Sequence, residues 1–205
     1  MTSENERIKE RSVDSLQQIY AVVIALGIAQ AIESLLKDPG RGALLEPAQV
    51  REGLPAFVAF LVTLVPFWHG MNRHLDRCYL EKKTPVVQGA LLLDFWTFCV
   101  EASLLFAAGW SLRSGIHSFI ALGLLLSVDM LWGFISHQIH FRDRKSHVIR
   151  WSAINLGAIA LAVLVVAFPF QYKTGVLTFV AVLRSIVDYS LCWNFYFPVR
   201  EERKI

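Results

Sequence analysis

The sequence has few cysteines and lacks the short motifs that mark many catalytic and nucleotide-binding sites. Its three cysteines, Cys78, Cys99 and Cys192, form no C-x-x-C pair, so neither disulfide bonds nor a thiolate metal site is indicated. There is no Walker A or G-x-G-x-x-G sequence, which leaves nothing to suggest nucleotide-driven pumping. The absence of T-V-G-Y-G argues against a conventional potassium channel. No G-x-S-x-G or H-E-x-x-H sequence points to a hydrolase.

Long polar segments are also missing, and the longest, about 16 residues, lies at the start of the chain. This leaves no room for a separate soluble domain. Hydrophobic residues make up 55% of the 205 residues, and the mean hydropathy is +0.46. Apolar runs of about 20 residues recur, which is the length that crosses the hydrocarbon core of a bilayer. The sequence therefore predicts an all-α, polytopic membrane protein whose main partner is the lipid bilayer.

We predict six transmembrane helices in one bundle, preceded by an N-terminal arm at 1–15 and followed by a tail at 198–205. The arm is mixed in charge and is interpreted as a short helix or a disordered segment. The predicted spans together form one domain at 16–197, and their approximate bounds are 16–36, 54–70, 86–112, 116–141, 149–168 and 176–197. The fifth has Asn155 as its one strongly polar residue, and we expect it to be the most exposed to lipid.

The basic residues predict the orientation of the bundle. With six spans, fourteen of the twenty Lys and Arg residues fall on the side that holds both termini, and five fall on the other. The positive-inside rule then places both termini in the cytoplasm of a multi-pass protein in the plasma membrane (the inner membrane of a bacterial cell). The same rule accounts for the net charge of +3, so nucleic acid is not an expected partner.

Arg184 lies near the middle of the last apolar run. A guanidinium is not deprotonated there, so it must face protein or water and pair with an anion. Asp188 follows one helical turn later on nearly the same face. Three further carboxylates interrupt other apolar runs, and we predict that all five residues form one buried polar network: Arg184, Asp188, Asp94, Glu101 and Asp129.

Two interpretations of this network stay open. In the first, Asp94, Glu101 and Asp129 line a cation or proton pathway, because the acids outnumber the one base. In the second, the acids are protonated and the network only fixes how the helices pack. The surplus carboxylates need protons, water or a cation that the sequence does not encode.

Five of the six histidines fall near the predicted cytoplasmic ends of the second and fourth spans. Together with neighbouring charged residues they suggest a polar cluster at the cytoplasmic face, formed by His69, Arg73, Asp76, His137 and His140. His137 and His140 are three residues apart and can share a metal ion, with His69 or Asp76 completing the site. Alternatives are a pH sensor, or histidines that an interface merely tolerates. No cofactor is otherwise indicated.

Three functions follow from these features. The first is an ion- or proton-conducting channel or transporter, and because six short spans leave little interior, we expect a homo-oligomer. The second is a membrane-embedded enzyme for a lipid-like substrate, with His69, Asp94 and His140 as acid–base or metal groups. The third is a non-catalytic sensor or partner subunit whose basic loops bind a cytosolic protein.

Overall fold

The protein was studied as a computed structural model, which describes residues 2–38, 42–81, 89–140, 147–169 and 171–198. These residues form seven α-helices and no β-strand. Six of the helices are long and apolar enough to cross a membrane, as predicted. Their bounds are α1 Thr2–Leu36, α2 Pro47–Leu75, α3 Ala90–Trp110, α4 Ile116–His140, α5 His147–Ala167, α6 Lys173–Leu191 and the short α7 Trp193–Tyr196.

The predicted N-terminal arm is not separate from the first span, because α1 runs without a break from Thr2 to Leu36. Val13, Leu16 and Tyr20 are all buried, and their spacing of three and four residues places them on one face. The charged start of the chain thus continues the helix whose apolar face already contacts the bundle. Mean hydropathy did not predict that the helix begins in the charged segment, because the mean is taken over both the apolar and the polar face.

Helix α2 is longer at both ends than the predicted span at 54–70. Pro47 occupies the first turn, where its missing N–H costs nothing, and the backbone N–H of Glu46 donates to the side chain of Gln49 (3.3 Å). At the other end the helix passes into a π-helical turn, Asp76–Leu80. Tyr79 in this turn is 1% exposed, so the extension is part of the buried bundle.

The later helices differ from the predicted spans mainly at their ends. Helix α3 is followed by a 3₁₀ turn, Leu112–Ser114, and the predicted start of this span at 86–88 lies outside the described residues. The sixth span is divided at Cys192 into α6 and α7. Helices α5 and α6 have the smallest buried shares of their apolar windows, 22% and 17%, and the expectation that the fifth span is the most lipid-exposed stays a prediction.

The six long helices pack as a ring rather than in chain order. Helix α3 packs against α1 and α4, α5 packs against α4 and α6, and α2 packs against α6 and α1. The order around the ring is therefore α1–α3–α4–α5–α6–α2, with α2 also touching α4 across the interior. Six helices in this order have an interior of their own, which the polar residues described below occupy.

The two ends of the ring are defined by contacts between consecutive helices. At one end the imidazole of His74 near the end of α2 lies 3.1 Å from the hydroxyl of Ser136 near the end of α4. We call this the basic end, after the prediction from sequence that assigns fourteen of the twenty Lys and Arg residues to this side. At the opposite end the hydroxyl of Thr178 on α6 donates to the carbonyl of Pro55 on α2 (2.7 Å).

Candidate functional site

Arg184 is buried inside the ring, where α5 and α6 supply its contacts. Its Nε donates to Oδ1 of Asn155 on α5 at 2.8 Å, and its Nη2 lies 3.7 Å from Oδ2 of Asp188. The Arg184 and Asp188 side chains are 2% and 0% exposed. The guanidinium therefore faces protein and not lipid, and its charge is balanced by the carboxylate one turn away.

Asp188 is also held by a residue that lies beyond the break in the last span. The hydroxyl of Tyr196 on α7 donates to Oδ2 of Asp188 at 2.8 Å. Residues eight apart in a straight helix are separated by about 12 Å along its axis, so this hydrogen bond depends on the turn at Cys192. The division of α6 from α7 thus brings a phenol back to the ion pair.

Asp129 on α4 connects this ion pair with the other buried acids. Its carboxyl is 5% exposed, and both Arg184 and Asp188 lie within electrostatic reach of it. Glu101 on α3 in turn lies within reach of Asp129 and of Asp94. Side chains from α3, α4 and α6 are therefore electrostatic neighbours in the interior of the ring.

Glu101 is the member of this group whose carboxyl lacks described hydrogen-bond partners. The residue is 0% exposed, and neither of its carboxyl oxygens has a hydrogen-bond partner among the described residues. The hydroxyl of Tyr20 on α1, which lies within electrostatic reach of Glu101 and Asp129, also lacks a described partner. An ionised carboxylate that is dry and unpaired costs several kcal/mol, which favours a protonated Glu101.

Asp94 differs from Glu101 because neutral donors satisfy both of its oxygens. The Tyr79 hydroxyl, in the π-helical turn after α2, donates to Oδ2 at 2.6 Å. The indole Nε1 of Trp132 on α4 donates to Oδ1 at 2.8 Å. These two bonds tie α3 to the π-helical turn after α2 and to α4. The carboxyl is held in place without a cation among the described residues.

A cleft opens beside Asp129 at the basic end of the ring, between α2, α4, α5 and α7. Its empty space, including the open mouth, is about 550 Å³. The part of the wall that matters for chemistry contains aromatic rings, one carboxyl and two imidazoles: Phe67, His74, Asp129, Trp132, His137, Trp151, Phe195 and Tyr196. Asp129 thus belongs both to the buried group and to the wall of the cleft.

The imidazole of His74 joins the cleft to the buried acids. Its Nε2 lies 3.1 Å from the Ser136 hydroxyl and 3.2 Å from the Cys78 thiol. Its ring meets Trp132 edge to face, with the ring centres 4.3 Å apart. Trp132 in turn donates to Asp94, so its indole contacts both the His74 ring and that carboxyl.

The residues predicted to form a cytoplasmic-face cluster are divided among several places. His69 contacts the Tyr189 hydroxyl (3.3 Å), and Arg73 donates to the carbonyl of Phe195 (3.1 Å) and pairs with Glu81. Asp76 accepts a hydrogen bond from Gln17 on α1 (3.0 Å). His69 and Arg73 fasten the C-terminal turn to α2, whereas Asp76 fastens α1.

His137, in contrast, lies in the wall of the cleft, and its Nδ1 has no hydrogen-bond partner among the described residues. The side chain of His140 lies outside the described residues. Among the side chains that the structure does describe, no three of His, Cys, Asp or Glu are grouped closely enough to hold a metal ion. The predicted metal pair of His137 and His140 therefore stays a prediction, since one of its two side chains lies outside the described residues.

Several site residues were not singled out from the sequence. Asn155 was noted only as the lone polar residue of its span, yet a side-chain amide in an apolar helix signals a partner on another helix. The donors Tyr79 and Trp132 and the hydroxyl of Tyr196 gave no such signal. Their roles depend on the order of the helices around the ring and on two helix irregularities.

The fold and the site define a multi-pass helical bundle with charged residues buried inside it. Comparison of the chain with protein-family models, with curated proteins and with solved structures found no match. Its function must therefore be inferred from the geometry of the ring.

Proposed function

We propose that the protein conducts or transports protons across the membrane, with Asp129 as the group that exchanges protons with the aqueous cleft. The observation behind this proposal is the double position of Asp129. It lines the cleft at the basic end, and it lies within electrostatic reach of the Arg184–Asp188 pair. A carboxyl in such a position can take up a proton from one side and pass it to the interior.

The charge balance of the interior supports the same proposal. Four carboxyls are buried there, at Asp94, Glu101, Asp129 and Asp188, and Arg184 is the one buried Lys or Arg among the described residues. If Asp188 balances Arg184, three acids remain that must be neutral or must hold a cation. Protons are the smallest species that can satisfy them, and a group that gains and loses a proton is a relay.

The proposed path runs from the cleft to the middle of the ring. Asp129 is followed by Glu101, and the Tyr20 hydroxyl lies within electrostatic reach of both. This hydroxyl has no described hydrogen-bond partner, so it is free to bridge the two carboxyls directly or through water.

Beyond Glu101 the ring closes toward its opposite end. A Cβ built on Gly109 of α3 would lie 3.4 Å from the Cβ of Ala31 on α1, so the two helices approach closely there. A polar cleft of about 1060 Å³ follows at the surface, lined by Glu33, Lys37 and Arg113 among others. Transport across this closed segment requires the helices to move, which favours a gated transporter over an open pore.

The proposal also includes the orientation and location inferred from charge: both termini in the cytoplasm and the chain in the plasma membrane. The ring has its own polar interior, so a pore between protomers is not needed. A homo-oligomer and a cytosolic partner stay predictions.

The test is proton flux into liposomes that contain the purified protein, driven by a potassium gradient with valinomycin and followed by an enclosed pH-sensitive dye. We expect Asp129→Asn and Glu101→Gln each to lower the flux at least about tenfold, since neither amide can release a proton. Glu52→Gln is the matched control, because Glu52 is an exposed acid on α2 that lines neither cleft. Equal flux from wild type and both interior variants would refute the proposal.

A membrane-embedded enzyme is a second candidate, and the specific observation that favours it concerns His74. Its Nε2 lies near both a thiol and a hydroxyl, at Cys78 and Ser136. Cys78 and Ser136 are 4% and 2% exposed and do not line the cleft, so a substrate has poor access to either. Alkylation of Cys78 by a lipophilic maleimide, detected by mass spectrometry, tests this access; an unmodified Cys78 counts against an enzyme.

A further inference from the structure

The cleft beside Asp129 has a wall that is unusual for a simple proton entrance. Five aromatic residues surround a single carboxyl: Phe67, Trp132, Trp151, Phe195 and Tyr196. The described wall contains no Lys or Arg. Aromatic faces attract cations through the ring quadrupole, and a carboxylate supplies the opposite charge. An uncharged or anionic ligand would gain from neither feature.

Three of the rings are fixed in place before any ligand arrives. Trp132 is held by its hydrogen bond to Asp94, and Tyr196 is held by its hydrogen bond to Asp188. Trp151 lies directly against α4, because a Cβ built on Gly133 would come within 2.8 Å of its ring. Rings that are already positioned lose little conformational entropy on binding, which is the usual condition for a preorganised site.

The charge around the cleft leaves Asp129 able to accept a cation. Arg184 lies close to Asp188 and is hydrogen-bonded to Asn155, so its positive charge is balanced by the Asp188 carboxylate. The imidazole of His137 also belongs to the wall of the cleft. Inside the cleft, the space open to the centres of water-sized groups is only about 50 Å³, which restricts the ligand to a small one.

We infer that this cleft binds a small organic ammonium ion, with its charge beside Asp129 and its carbon groups against the rings of Trp132, Trp151 and Tyr196. The inference rests on the proposed function in one respect: it names the substrate class that such a proton-linked transporter would carry. Binding at equilibrium is measured without any proton gradient, so its outcome is separate from that of the flux experiment.

The experiment compares two probes of the same tetrahedral shape, tetramethylammonium and tert-butanol, by isothermal titration calorimetry on the detergent-purified protein. We expect tetramethylammonium to bind at least about tenfold more tightly than the neutral alcohol. This comparison needs no variant, so it does not depend on whether a substitution disturbs folding. Equal binding of the two probes, or no binding of either, would overturn the inference.

Variants then locate the site. Asp129→Asn and Trp151→Leu are each expected to weaken tetramethylammonium binding at least about fivefold, because one removes the charge and the other removes a ring. Matched controls are Glu33→Gln and Trp110→Leu, which change an acid and a 69% exposed tryptophan at the opposite end. Retained binding in both cleft variants, or equal loss in the controls, would show that the cleft is not the site. Melting temperatures of all four variants identify any that are misfolded.

Loss of proton flux with tetramethylammonium binding intact would remove the proposed transport and leave the binding site standing. Proton flux without tetramethylammonium binding would remove the binding site and leave the proposed transport standing. The two conclusions therefore fail through different measurements.

Discussion

Two glutamates at different places in the ring show what burial does to the same side chain. Glu33, toward the end of α1, is 56% exposed and pairs with Lys37 at 3.0 Å. Glu101, in the middle of α3, is fully buried and has no hydrogen-bond partner among the described residues. The first acid is solvated and paired, so its charge costs little. The second has neither water nor a cation beside it, so a proton is the simplest way to make it tolerable.

This difference extends to the two ends of the molecule. At the end that holds Glu33, polar groups lie at the surface while small residues such as Ala31 and Gly109 bring α1 and α3 together. At the basic end, polar groups enter the interior and meet a cleft. Function is therefore expected from the interior acids, and the exposed acids provide controls.

The largest expected effect comes from breaking the one buried ion pair among the residues that the structure describes. Arg184→Met leaves the Asp188 carboxylate uncompensated, and removal of one partner of such a pair costs about 3–5 kcal/mol. The measurement is the free energy of unfolding of the purified protein in detergent. The double variant Arg184→Met with Asp188→Leu serves as its control and should recover most of the loss. If the single variant is as stable as wild type, the ion pair does not contribute to the free energy of unfolding.

A smaller effect is expected from a pair of glycines on α4. In Gly133→Ala the new methyl group meets the Trp151 ring at 2.8 Å, so we expect a loss of about 1–3 kcal/mol from overpacking. Gly123→Ala meets nothing within 4 Å, and alanine's better helix propensity should leave stability unchanged or raise it by up to about 1 kcal/mol. Thermal unfolding of both variants checks this difference. Equal stabilities would mean that Trp151 is not held against α4.

Glu101→Gln sharpens the comparison of the two glutamates. If Glu101 carries a proton, glutamine is close to it in shape and charge, and the free energy of unfolding should change by less than about 1 kcal/mol. An ionised Glu101 would instead make the amide clearly stabilising, because a buried unpaired charge would be removed. Denaturant unfolding in detergent distinguishes the two outcomes.

Glu33→Gln is expected to have the smallest effect of all. The Glu33–Lys37 pair is exposed, and such pairs contribute about 0–1 kcal/mol. Its melting temperature, measured at low and high salt, should be close to that of wild type in both. A marked loss of stability would mean that the opposite end is less solvated than its exposure indicates.

Much of the fold could be predicted from hydropathy, and the errors have physical causes. Six apolar runs gave six long helices. The ends were missed where a helix continues on a mixed face, as at Val13, or where it changes type, as in the π-helical turn at Asp76–Leu80. The division at Cys192 was also missed, since no proline or glycine marks it.

The site was only partly predictable. The four-residue spacing of Arg184 and Asp188 indicated that the two side chains share a face, and the structure places them 3.7 Å apart. Which other helices approach them could not be read from the chain, because the order around the ring is not sequential. The contact of Asp94 with Trp132, and the cleft itself, follow from that order.

The order of the helices also bears on how the protein is made. Helix α2 packs mainly against α1 and α6, and α6 is the last long helix to leave the ribosome. During synthesis α2 is therefore inserted before α6, and the side that later contacts α6 is covered by lipid. Helices α3 and α4, with their acidic residues, are also inserted before α6. The ring of six helices closes only when α6 arrives, so a chain that stops before α6 would leave α2 without one of its two main partners.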